Sequence, residues 1–139
     1  MIYGDKIVLQ TRGFSDTHDI TDRVQEIVNQ SACQQGIVTV SAIGSTASVT
    51  TIEYEPALVQ DMKELLEKFA SRQMHSHHSQ TWGDDNGFSH LRASFMGPSL
   101  TIPFDSGRLV LGTWQQIVVI DHDNRPRQRQ VFVQVVGDN

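Results

Sequence analysis

The sequence predicts an α+β domain with mixed or antiparallel sheets in a barrel-like or sandwich arrangement and two main helices. Two stretches, residues 20–36 and 56–69, carry the apolar period of amphipathic helices. From residue 89 onward, strand-like runs follow one another with no helical pattern between them. Gly97-Pro98, Pro103, Gly107 and Gly112 punctuate those runs, and the regular strand–helix alternation of a doubly wound nucleotide fold is missing. A length of 139 residues suits one domain, 1–139, with a sizeable core.

In chain order, KIVLQTR (6–12) has strand composition. Residues 20–36 place Ile20, Val24, Ile27 and Val28 on one helix side, with Asp19 or Thr21 as a cap and Gly36 as the stop. GIVTVSAI (36–43) alternates, Val38, Val40 and Ala42 against Thr39 and Ser41. After the small-residue turn Gly44-Ser45-Thr46-Ala47 comes a second β-rich run, 48–54. Pro56 fits a first helical position, and Leu58, Met62, Leu65, Leu66 and Phe69 form the stripe behind it. The expected strands are then 89–96, 99–104, 107–111, 114–121 and 129–136.

Composition excludes several classes. A net charge of −5 lacks the basic face of a nucleic-acid binder. No apolar run reaches membrane-span length, and the polar N-terminus is not a signal peptide. The single cysteine, Cys33, allows no intrachain disulfide and suits the reducing cytoplasm as a buried structural thiol.

Candidate chemistry concentrates in residues 75–96, which hold His75, His77, His78 and His90. A strand over 89–96 would set His90, Arg92 and Ser94 on one face, suited to an anion or equally to solvent. The histidines at 75, 77 and 78 lack a tight metal-ligand spacing and are read as a largely exposed loop. Asp84-Asp85-Asn86-Gly87 lacks the alternation of a calcium loop. The Gly44–Ser48 turn, with Ser45 and Thr46, could cradle an anion or simply join two strands. Glu53, placed on the strand 48–54, would be a half-buried carboxylate needing a partner. Arg125, Arg127 and Arg129 would project from one side of an extended segment, as an anion clamp or paired with Asp121 and Asp123. Trp82 and Trp114 are expected in the core. No motif supports nucleophilic catalysis.

GSTASVTTIEYEP, TWGDDNGFSHLRASFMGPSLTIPF, GRLVLGTWQQIVVIDHDNRPR and RQVFVQVVG together resemble the YjbQ-like family over residues 5–137. The resemblance implies a YjbQ-like α+β fold, a homotrimer and a weak thiamine-phosphate-synthase activity. That reaction joins a pyrimidine-methyl diphosphate to a thiazole phosphate and releases pyrophosphate. By motif it implies His78, His90 and Glu53 as catalytic residues, with His78 and His90 as metal ligands. A divalent metal, Mg²⁺ or Zn²⁺, is the expected cofactor. Arg92, Ser45, Thr46, Asn86 and Ser94 would hold the small phosphorylated substrate. Two positions depart from the family pattern, Gly44 and Phe88, where many members carry histidine. Non-catalytic binding of a metal or small anion, and metal-dependent phosphoester hydrolysis, are the alternative readings.

Overall fold

The computed structural model describes all 139 residues as twelve elements. In order they are β1 (Ile2–Thr11), β2 (Asp16–Asp19), α1 (Thr21–Ser31), β3 (Gln35–Ile43), β4 (Ala47–Ile52) and α2 (Pro56–Phe69). There follow α3 (His77–Trp82), α4 (Gly87–Met96), β5 (Ser99–Asp105), β6 (Arg108–Leu109), β7 (Gln116–Asp121) and β8 (Arg127–Asp138). Five strands form one sheet in the order β1-β8-β3-β5-β6, and β2-β7-β4 form a second; every pairing is antiparallel.

The core lies where alternation points inward. Val38, Val40 and Ala42 of β3 meet Val131, Val133 and Val135 of β8, and Val24, Ile27 and Val28 of α1 close over them. Cys33 is buried among these residues, as a small hydrophobe would be. Ile117, Val118, Val119 and Ile120 of β7 are all fully buried, so the central strand of the smaller sheet is covered on both faces.

Besides the unexpected short strand β2 and the shrinkage of the expected strand 107–111 to β6, the four helices depart from the expected layout. Helix α1 ends at Ser31, because Ala32 turns left-handed (φ 60°) and its N–H bonds to Asn29 O. Gly36 therefore sits inside β3 rather than stopping the helix. Residues 89–96 form helix α4, not a strand. GFSHLRASFM contains no β-branched residue, and its buried side chains Phe88, Ser89, Arg92 and Ala93 follow a helical period. Residues expected as loop form the short helix α3, started by Ser76, whose hydroxyl accepts from Ser79 N. In α2 the Pro56 start holds, but only Leu66 of the stripe is buried while Leu65 and Phe69 face solvent. Trp82 and Trp114 are likewise exposed, contrary to the core position expected of them.

Candidate functional site

Helices α3 and α4 bring His78 and His90 together. At Gly87, the first residue of α4, a Cβ would lie 1.9 Å from Ser76 Oγ, so only glycine lets the two helices dock this closely. The imidazole rings of His78 and His90 are then 4.4 Å apart, centroid to centroid, and inclined at 54°. His78 Nε2 faces two acceptors, Asn86 Oδ1 at 3.1 Å and Asp84 Oδ2 at 3.3 Å, which places a proton on that nitrogen. Asn86 is buried and its amide donates to Asp123 Oδ1 at 3.2 Å, fixing which end of the amide meets His78. His90 is only partly exposed, and neither of its ring nitrogens hydrogen-bonds within the protein. Its pKa is lowered by burial first and by the neighbouring His78 second, so the ring is neutral at neutral pH.

His90 stands between two depressions. One, about 380 Å³, is lined by Met74, the 75–78 segment, Gly87 and Leu91. The other, about 190 Å³, is lined by Gly44, Ser45, Ala47, Ala93, Ser94 and Pro98. Helical spacing puts His90 and Ser94, four residues apart, on this rim.

The helix also overturns the expected neighbourhood of Arg92. Two residues along a helix face nearly opposite ways, so Arg92 points away from His90. It is 2% exposed, donating from Nε to Ala70 O, from Nη2 to Glu67 Oε2 and from Nη1 to Ser15 Oγ, with its guanidinium over the Phe88 ring. Phe88 is core rather than lining. Glu53 lies beyond the end of β4, exposed, and contributes to neither depression, so it is not the half-buried strand residue expected. Thr46 is buried, its hydroxyl occupied by Asp123 Oδ2 and Arg129 Nη2. His75 and His77 are exposed, as expected. No group of three or more His, Cys, Asp or Glu side chains converges closely enough to hold a metal ion, so the residues present do not fit the His78–His90–Glu53 metal centre.

Behind the cleft lies a polar core in which Arg127 and Arg129 take the pairing with Asp123 and Asp121 expected as the alternative to an anion clamp, but with both aspartates buried and His122 between them. Asp121-His122-Asp123 are all fully buried. The two aspartates face β8, where Arg129 grips Asp121 with Nε and Nη2 (2.7 and 2.9 Å) and Arg127 Nε meets Asp123 at 2.7 Å. Thr11 adds a further donor to Asp121. Hydrogen bonds hold the pKa values of both aspartates down against the opposing effect of burial. His122 points the other way, with Nδ1 2.8 Å from Ser15 Oγ and Nε2 bonded to Ser48 Oγ. Burial, then the charge on Arg92, pushes its pKa down to about 3. The signal for this core was the alternation D-H-D beside R-x-R; its burial was not legible because it depends on β7 and β8 belonging to different sheets.

The class is thus a small α+β protein with two antiparallel sheets and a histidine-lined cleft beside a buried ionic core. A family model described as UPF0047 protein YjbQ-like matches residues 5–138, and the chain belongs to that family. A UPF0047 protein of Archaeoglobus fulgidus is 33% identical over 131 residues, covering 94% of this chain and 99% of its own. A UPF0047 protein of Methanothermobacter thermautotrophicus is 33% identical over 136 residues, covering 98% of this chain and 93% of its own. The crystal structure of a YbjQ-like protein of unknown function from Sulfolobus solfataricus matches with a TM-score of 0.93 at 32% identity, over 99% of each chain. A hypothetical protein from Aeropyrum pernix matches with a TM-score of 0.89 at 29% identity, over 97% of this chain and 98% of the other. The resemblance expected from the motifs therefore holds, as does the α+β fold. No helix is long and apolar enough to cross a membrane.

Proposed function

We propose that the cleft around His90 binds a small phosphorylated molecule and that His90, oriented beside His78, donates a hydrogen bond to its departing group. The observation that carries this reading is His90 itself, a neutral imidazole with both ring nitrogens free, standing between two depressions. Two adjoining depressions suit a reaction that joins or splits a two-part substrate, and the activity in view is the weak thiamine-phosphate-synthase-like one. There the thiazole nitrogen, which carries no hydrogen, forms a bond to the pyrimidine methylene carbon as the carbon–oxygen bond to diphosphate breaks. No base is needed, and the N–H of His90 serves the step as a donor to the departing oxygen. Holding the two rings adjacent contributes most of the acceleration, and donors at the departing diphosphate the rest. His78, whose Nε2 is committed to Asn86 and Asp84, positions the His90 ring and sets the local charge. A homotrimer in the cytoplasm completes the reading, and the exposed Leu65, Phe69 and Phe95 form a candidate surface for self-association.

Turnover of the two phosphorylated precursors by the purified protein, with and without added Mg²⁺ or Zn²⁺, tests it. His90→Ala should lower turnover by about 10²-fold or more, the usual cost of removing one donor aimed at developing negative charge. Background turnover by folded protein under every metal condition would refute the catalytic reading.

A further inference from the structure

We propose that Arg129 is the floor of an oxyanion subsite at the Gly44–Ser45 turn, shaped for the phosphoryl group of the ligand; the inference rests on the phosphorylated-ligand reading above. Arg129 is 5% exposed, and its Nε and Nη2 are fully engaged with Asp121 and Thr46. Nη1 has no acceptor in the protein. No fully buried side-chain nitrogen is left unpartnered, so Nη1 is the edge of the guanidinium that reaches solvent.

Its outlet lies beside Gly44. A Cβ at that position would sit 2.8 Å from Arg129 Nη1, and the only other atom near it would be the guanidinium carbon at 3.9 Å. Gly44 also has φ +146°, a conformation that side chains disfavour. The missing side chain thus leaves a window onto a buried arginine. Around that window the N–H groups of Gly44 and Ser45 find no backbone acceptor, and the exposed Ser45 hydroxyl has no protein partner. Gly44 and Ser45 also line the depression of about 190 Å³, with His90 and Ser94 across it, so the window opens at that depression's edge.

Nη1, the Ser45 hydroxyl and the two free N–H groups gather more donors at this one turn than the two oxygens of a carboxylate match, and the three terminal oxygens of a phosphoryl group suit them better. Asp121 and Asp123 lie behind the guanidinium, each already held by an arginine. Binding therefore comes from aimed hydrogen bonds rather than surplus positive charge, and a modest affinity follows. Thr46, expected to take part, instead anchors Arg129 from below.

The test is calorimetric titration of the full chain with pyrophosphate, inorganic phosphate and malonate, paired with amide spectra. Pyrophosphate should bind with a Kd of about 1 mM or tighter and shift the Gly44 and Ser45 amides. Gly44→Ala, which closes the window, should weaken it about tenfold or more, and Ser45→Ala by a smaller factor. Arg108→Ala, which removes an exposed cation lining neither depression, should leave the affinity within about twofold. Wild-type protein with no phosphate binding, or with shifts away from Gly44 and Ser45, would overturn the subsite. So would Gly44→Ala binding like wild type, or malonate binding more tightly than phosphate. Precursor turnover without phosphate binding at this turn sinks the subsite and spares the catalytic reading. Binding there without turnover does the reverse.

Discussion

Acidification should unfold this protein earlier than its carboxylates alone would require, because His122 must stay neutral in the fold. The ring is fully buried between Ser15 and Ser48, with its pKa pushed down to about 3, whereas in the unfolded chain it returns to the ordinary histidine value of 6.5. A base whose folded pKa is depressed binds no proton in the native state when the unfolded chain does. Its neutral form therefore costs nothing above 6.5, and stability drains away as the pH falls from 6.5 toward 3. At one proton, the slope is about 1.4 kcal/mol per pH unit, so the loss between about pH 7 and about pH 5 is roughly 2 kcal/mol. Asp121 and Asp123 have depressed pKa values as well, so their losses fall in more acidic solution and leave this window to histidine. The assay is urea unfolding of wild type and His122→Gln at fixed protein concentration across that range. Gln cannot titrate, so the wild-type curve should fall more steeply than the variant's by about the stated amount, whatever the variant's absolute stability. Parallel curves, or a His122 imidazole resonance that titrates near the ordinary histidine value of 6.5 in the native protein, would refute the reasoning.

Two further outcomes follow from packing and charge. Gly87→Ala drives a Cβ to 1.9 Å from Ser76 Oγ, and separating α3 from α4 to relieve it should cost about 1–3 kcal/mol in thermal or urea unfolding. The same variant should lose turnover out of proportion to its stability, since it moves His78 relative to His90. Asp121→Asn strips the buried Arg129 of its partner charge, and about 3–5 kcal/mol of lost stability in urea unfolding is expected; a loss under about 1 kcal/mol would mean water reaches the pair.

Much of the architecture was legible in local pattern. Strands β3, β5, β7 and β8 and helices α1 and α2 were readable because apolar period and turn residues agree there. Residues 87–96 were misread because alternation of Leu91, Ala93 and Phe95 fits a strand face, while the signal against it was the absence of any β-branched residue. That one error scattered the expected site: as a helix the segment keeps His90 with Ser94 and turns Arg92 inward. Glu53 went astray by a smaller slip, since β4 ends one residue before it.

The chain by itself determined the family, the α+β class, and His78 and His90 as the pair to examine, because these rest on residue types and their order. Tertiary structure alone decided what surrounds that pair. Asp123 is 37 residues from Asn86, and Arg129 is 83 from Thr46, so no local pattern could join them. Whether an arginine clamps a ligand or neutralises a buried aspartate depends on which strands lie opposite it. Here β8 runs beside β1 and β3 while its arginines reach across to the end of β7, and burial in that seam makes the ion pairs obligatory.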